Sequence, residues 1–355
     1  MTVTILIGDC RKVLRELPTE SVHCVVTSPP YWGLRDYGIG TDVFGLEPSY
    51  QIYVEHAVEI FRDVRRVLRP DGTLWLNLGD SYASTPRGNK QTGVEGWKTS
   101  GLHGAGSAVY AKTLDASAAQ KRNTIVDGLK PKDLCGIPWR VAFALQADGW
   151  WLRQDIIWSK PNPMPESVTD RCTKAHEYLF LLSKSERYYY DADAIKEQAA
   201  YSGLANQDDS GFKDPRSFNG KHRNGYRSSG NKSHKAVTEY ERSDSEEHRT
   251  KAGLLKISDT AYAMRNKRSV WEVSTEPFSE AHFATFPPAL IEPCILAGCP
   301  KGGTVLDPFG GAGTTGMVAD RLGRDAILIE LNPEYAAMAE RRIRKDAGMF
   351  ASINQ

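Results

Sequence analysis

The sequence predicts an α/β fold: a mostly parallel sheet of about seven strands with helices on both faces. Three observations predict it. Short apolar runs alternate with amphipathic stretches in both end regions of the chain, which is the strand–helix alternation of parallel α/β proteins. A glycine-rich turn, Asp307-Pro308-Phe309-Gly310-Gly311-Ala312-Gly313, follows one apolar run and opens a helical one. Turns of this kind bind ligands at the carboxyl edge of such sheets. Finally, 355 residues, 40% of them hydrophobic, suffice for a core that needs no disulfide or metal staple.

The elements follow in order. Residues 1–82 hold a strand at Val3–Ile7, a short helix at Cys10–Leu17 and a strand at Val22–Val26. A helix at Tyr53–Leu68 comes next, with apolar residues at three- and four-residue steps, stopped by Pro70-Asp71-Gly72. Thr73–Leu78 is a buried strand. Residues 83–133 break the pattern, with seven glycines and eight basic against four acidic residues. They read as an insert, because long structureless stretches inside compact domains are functional or disordered. Residues 134–200 resume the domain with a helix at Trp139–Ala147 and strands at Gln154–Trp158 and Tyr178–Leu182. Arg187–Tyr190 is expected as the return strand of a hairpin across Ser183–Glu186. Residues 201–270 are a second polar insert. Residues 271–355 carry helices at Pro288–Leu296, Thr314–Leu322 and Pro333–Lys345, and strands at Thr304–Leu306 and Ala326–Ile329.

Composition narrows the function. Forty-five Lys and Arg balance 44 Asp and Glu, a formal net charge of +1, which excludes a histone-like protein but not a local basic face. No run of 18 apolar residues is present, so no membrane helix is expected. The start MTVTILIGDC lacks a basic region and a cleavage-like site and is not read as a signal peptide. Six cysteines without a C-x-x-C pair and eight scattered histidines read as intracellular thiols and no metal site.

Two motifs carry chemistry. The glycine turn lets a ligand approach the backbone closely at a helix N-terminus. The next strand ends in Glu330, where an acid typically bonds ribose hydroxyls. The turn lacks the Gly-Lys-Ser/Thr end of a P-loop, which argues against a triphosphate. The second motif, Thr27-Ser28-Pro29-Pro30-Tyr31-Trp32, closes the strand Val22–Val26. Two prolines lock the backbone and remove two donors, so Ser28 Oγ and the Pro29 carbonyl are left as acceptors for an amine. Tyr31 offers a ring for a flipped base to stack on.

Together these segments resemble the β class of bacterial and phage site-specific DNA amino-methyltransferases, in which the Ser/Asp/Asn-Pro-Pro-Tyr motif precedes the cofactor loop. The resemblance covers most of the chain outside the two inserts. It implies a circularly permuted, Rossmann-like methyltransferase fold using S-adenosylmethionine. It further implies catalytic residues Ser28, Pro29, Pro30 and Tyr31. Asp307, Phe309, Gly310, Gly311 and Gly313 would wrap the methionine and ribose, Glu330 would hold the ribose hydroxyls, and Asp9 of Gly8-Asp9 would lie near the adenine. Thr285 and Phe286, in a segment resembling the one beside the cofactor's methionine end, complete the cofactor set. Asp155–Pro165 resembles the block that shapes the base pocket, and His176–Leu179 the strand after it.

The implied reaction methylates an exocyclic amine of a DNA base by direct displacement, with alignment and charge stabilisation as its source of rate. In the family, Ser-Pro-Pro-Tyr accompanies cytosine N4, which favours N4-cytosine over N6-adenine. A C5-cytosine enzyme would need a nucleophilic cysteine. Cys294 after Pro293 precedes the cofactor loop on a helical segment and reads as a core residue. Two other classes stay open: an enzyme acting on RNA or a protein amide, and a DNA-binding protein that has lost activity. The implied partners are double-stranded DNA and a cognate restriction endonuclease, in the cytoplasm of a bacterial or phage-infected cell. No membrane partner is expected, and the oligomeric state is open.

The family carries its target-recognition segment between the pocket block and the cofactor-side block, here residues 201–270. Within it, residues 213–235 hold seven Lys or Arg against one Asp. Lys213, Lys221, Lys232 and Lys235 suit phosphate contacts, Arg223 and Arg227 suit guanine edges, and Asn219, Asn224 and Asn231 suit adenine.

Overall fold

The computed structural model describes residues 1–33, 43–83, 128–198, 264–276, 286–348 and 352–354. The chain divides into two units, Met1–Ile195 with Arg268–Gln355, and Lys196–Lys267.

In the first unit, β1 (Thr2–Ile7) leads into α1 (Cys10–Glu16), which Asp9 caps by accepting the Arg11 N–H at 2.9 Å. β2 (Val22–Thr27) is buried along almost its whole length, as a central strand must be. α2 (Tyr50–Val67) starts at the Ser49 cap and buries Tyr53, Ala57, Ile60, Phe61 and Val64 on one stripe. It runs straight into β3 (Leu68–Leu78). Pro70-Asp71-Gly72 therefore lies inside the strand, in a bulge that shifts the register from Val22–Leu68 to Cys24–Thr73.

α3 (Ile137–Ala147) carries Pro138 in its first turn, and β4 (Trp151–Ser159) and β5 (His176–Ser183) follow. After the second unit come β8 (Val270–Glu272), α4 (Pro288–Gly298), β9 (Thr304–Asp307), α5 (Thr314–Arg321), β10 (Asp325–Glu330), α6 (Pro333–Ala347) and β11 (Ser352–Asn354). In the second unit the described residues form one short antiparallel pair, β6 (Glu197–Gln198) with β7 (Met264–Arg265). An Arg265–Glu197 ion pair of 2.8 Å closes it.

The sheet order is β11-β1-β10-β9-β2-β3-β5-β4-β8, and β5 alone runs antiparallel. The seven strands from β1 to β4 are the expected sheet. Three-residue strands β11 and β8 extend it at the two edges, too short for a periodicity argument to find.

The hairpin expected at Arg187–Tyr190 does not form. β5 sits between β3 and β4 and both its edges are already bonded, so a return strand has no place to pair. Residues 187–190 instead fold back over the end of β3, with Tyr189 N–H donating to the Asp71 carbonyl at 2.8 Å.

Alternating strand residues fill two cores. Cys24, Val26, Trp75, Leu179 and Leu181 meet α4, α5 and α6 on one face. Val25, Leu74, Leu76, Phe180 and Leu182 meet α1, α2 and α3 on the other. Cys294 lies fully buried in the first core.

Candidate active site

β2 and β9 are parallel neighbours, with Val25 opposite Leu306. Their carboxyl ends therefore carry the Ser28–Tyr31 and Pro308–Gly313 turns side by side, although 280 residues separate Thr27 from Asp307. One buried carboxylate fastens the two turns together. Asp307, 1% exposed, accepts Thr27 Oγ1 at 2.6 Å, Thr315 Oγ1 at 2.7 Å and the Phe309 N–H at 3.0 Å. Burial pushes its acid up to about 7 against the pull of these three donors. A second tie is aromatic. Phe309 stacks on Phe44 at 5.8 Å, Phe44 stacks on Tyr53 at 4.6 Å, and the Tyr53 hydroxyl donates to the Pro30 carbonyl at 3.0 Å.

On the tetrapeptide side, Ser28 is half-buried and its Oγ donates to the Tyr31 hydroxyl at 3.2 Å. The single Tyr31 hydroxyl proton is shared between Glu177 Oε2 at 2.7 Å and Asn77 Oδ1 at 2.9 Å. Asn77 Nδ2 also donates to Glu177 Oε2, at 3.2 Å. The other carboxylate oxygen takes the Lys160 ammonium at 2.5 Å, and that ammonium stands 4.2 Å from the centre of the Trp158 ring. Burial and the Glu177 charge raise the Tyr31 phenol well above its ordinary value, so it stays a neutral donor. The edge of the Tyr31 ring lies against Gly79, where a Cβ would stand 2.5 Å from Cε2. Only glycine admits the ring there.

On the glycine-turn side, Gly313 has φ +76°, and a Cβ on it would meet the Ala339 Cβ at 2.8 Å, so α5 starts hard against α6. Glu330 ends β10, next to β9. Its carboxylate accepts the Gly311 N–H at 2.7 Å and the Asn332 N–H at 2.8 Å. Burial raises its acid, and these backbone donors pull the other way. The Gly8 N–H donates to the Glu330 carbonyl at 2.9 Å, which sets Asp9 beside Glu330. Burial would raise the Asp9 acid, but bonds and charge from Arg11, 2.7 Å away, hold it below the ordinary value. A half-buried carboxylate beside a glycine turn and a helix start is an acceptor set that fits a ribose diol.

Ser28, Pro29, Pro30, Tyr31, Asp9, Asp307, Phe309, Gly310, Gly311, Gly313 and Glu330 thus meet along one sheet edge, at the ends of β1, β2, β9 and β10. Phe286 packs half-buried against the core on the α4–α6 face. Thr285 and all six basic residues, Lys213, Lys221, Arg223, Arg227, Lys232 and Lys235, lie outside the described residues. So does most of the 83–133 insert. The sequence gives Asn77 no role, and it places Lys160 and Glu177 only within the blocks Asp155–Pro165 and His176–Leu179. Asn77 carried the one available signal, a lone amide inside the apolar run Thr73–Leu78. Among the described residues, no group of three or more His, Cys, Asp or Glu is placed to hold a metal ion. No helix among them is long and apolar enough to cross a membrane.

This fold, with an acid-terminated strand beside a glycine turn, is that of a protein that binds a nucleotide-containing cofactor. The family N6_N4_Mtase, DNA methylase, matches residues 22–341, and the chain belongs to it. Type II methyltransferase M.SmaI of Serratia marcescens is 43% identical over 339 residues, 96% of this chain and 90% of that protein. In fold, the chain resembles the cytosine-N4-specific PvuII DNA methyltransferase, with a TM-score of 0.55 at 18% identity over 99% of this chain and 96% of that one. It also resembles a Thermus thermophilus protein named as a DNA modification methylase and solved with S-adenosyl-L-methionine. There the TM-score is 0.52 at 20% identity, over 99% and 100% of the two chains. The fold is that of S-adenosylmethionine-dependent DNA methyltransferases.

Proposed function

We propose that this DNA methylase transfers a methyl group to the exocyclic N4 amine of cytosine at specific sites in double-stranded DNA. It is read as a member of the β class, with Ser28-Pro29-Pro30-Tyr31 ahead of the cofactor loop. The observation that carries the reading is the Thr27–Asp307–Thr315 clamp, which holds an amine-binding turn beside a cofactor turn. S-adenosylmethionine supplies a methyl group on a sulfonium. Glu330 takes its ribose hydroxyls, the Phe309–Gly313 backbone wraps the methionine and ribose, and Asp9 lies near the adenine. Asp307 serves from beneath, shaping the turn through Phe309 and Thr315. Phe286 and Thr285 are assigned to the methionine end on the resemblance of their segment alone.

The target amine is conjugated and a weak nucleophile. Ser28 Oγ and the Pro29 carbonyl accept its protons and hold it toward sp³ geometry, its lone pair aimed at the methyl. Tyr31, backed by Gly79, gives the flipped base a ring to stack on. Ser28 in place of an Asp favours cytosine N4. N6-adenine is the second reading, because a serine does not exclude it. Similarity to a type II enzyme over most of both chains supports a cognate restriction endonuclease as partner and a bacterial or phage-infected cytoplasm as its place. The test is transfer of labelled methyl to duplex DNA, RNA and protein in parallel. Label in duplex DNA alone is expected, and label in RNA or protein alone would overturn the reading.

A further inference from the structure

Methylation leaves the target nitrogen with one proton too many, and the site contains a connected route for it. We infer that Glu177 is the terminal proton acceptor of a path running Ser28 Oγ, Tyr31 Oη, Glu177 Oε2. The inference rests on the reading of this site as an amino-methyltransferase.

The path is continuous, with a Ser28 Oγ–Tyr31 Oη step of 3.2 Å and a Tyr31 Oη–Glu177 Oε2 step of 2.7 Å, and hydroxyl rotors can align along it. The N–CH₃ bond forms as the donor's C–S bond breaks, and that electron pair stays on sulfur. The nitrogen then passes a proton to Ser28 Oγ, the serine proton moves to Tyr31 Oη, and the tyrosine proton moves to Glu177 Oε2. One N–H is lost, one carboxylic acid is gained, and both hydroxyls end as they began. The acid later returns its proton to water.

The surroundings fix both oxygens of the acceptor. Lys160 from the end of β4 bonds Oε1, and Asn77 from β3 donates to Oε2. Lys174, on the segment before β5, is the other cation whose charge couples to Glu177. His176 precedes it on the same strand. A glutamine would still accept from the Tyr31 hydroxyl but would leave the Lys160 ammonium without its carboxylate. Glu177 acts through Tyr31 and Ser28 and is a positioning and relay residue, not one in contact with the base.

Three variants test the path. Glu177→Gln keeps an acceptor for Tyr31 but cannot take a proton. Tyr31→Phe keeps the ring and breaks the middle of the path. The third combines both. Single-turnover methylation of duplex DNA is measured from pH 5.5 to 9, with cofactor binding by calorimetry as the check on folding. Expected is a rate loss on the order of 10²-fold in each single variant. The double variant should be no slower than either one, because the two act as a unit, and whatever acid-side fall in rate the wild type shows should be absent from Glu177→Gln. Glu177→Gln with the wild-type rate and the wild-type acid limb would overturn the path while leaving the enzyme's assignment intact. Failure of the wild-type chain to methylate any DNA would overturn the assignment and the path with it.

Discussion

Asp307 is a carboxylate confined by three donors, and its acid is raised from 3.8 to about 7 by burial. An acid whose folded value lies above its unfolded one stabilises the fold fully below the unfolded value, and loses that contribution as pH rises through the folded one. Stability should therefore fall between pH 4 and 7 by a component that Asp307→Asn removes. Urea unfolding of both proteins at pH 5 and 8 checks this, and an identical pH difference in the two would refute it. Glu330→Ala should weaken S-adenosylmethionine binding by about 1.5–3 kcal/mol, the range for hydrogen bonds to a charged group. Calorimetry reads it directly, and unchanged affinity would remove Glu330 from the cofactor site. At this scale Ser28, Tyr31, Asp307 and Glu330 are legible as candidates because short motifs name them. The contacts of Asn77 and Glu177 with Tyr31 are not, because strand pairing makes them across 46 and 146 residues.

Elements were legible wherever burial imposes a period. β2 and β9 are apolar runs because both faces are covered, and α2 shows one buried stripe. The misplaced return strand at Arg187–Tyr190 shows the limit. Three tyrosines have strand propensity, but pairing depends on which strand edges are free, and that is a property of the whole sheet. Helix–sheet contact was equally invisible. A Cβ on Gly298, at the end of α4, would lie 2.5 Å from Thr73 Oγ1 and Trp75 Nε1, so the helix end presses on β3 through bare backbone. Gly298→Ala should cost about 1–3 kcal/mol through overpacking, seen as a lower urea midpoint with an unchanged slope. A midpoint equal to wild type would mean that α4 stands farther off.

For the molecule as a whole, the sheet edge concentrates the chemistry while the inserts are expected to supply the grip on DNA. Ser28 and Gly311 share one edge because β2 and β9 are parallel neighbours, with Val25 opposite Leu306. The insert sequences have no periodicity, so their composition suggested charge and no shape. Replacing Lys213, Lys221, Lys232 and Lys235 with Ala should weaken binding to all DNA alike and reduce the salt slope by several phosphate contacts. Affinity measured across a salt series shows it, and an unchanged slope would place the phosphate contacts elsewhere. Exchanging Arg223 or Arg227 should alter which sites are methylated, read by sequencing methylated positions.

Ser28 is proposed to present a cytosine amine of duplex DNA to a methyl donor held by the Asp307–Glu330 side of the cleft. Nucleoside analysis by mass spectrometry, after incubating duplex DNA with S-adenosylmethionine and either the wild-type chain or Ser28→Ala, tests it most directly. N4-methylcytosine is expected from the wild type, with a large loss of it from Ser28→Ala and cofactor binding retained. N6-methyladenine as the product, or wild-type yield from Ser28→Ala, would contradict it.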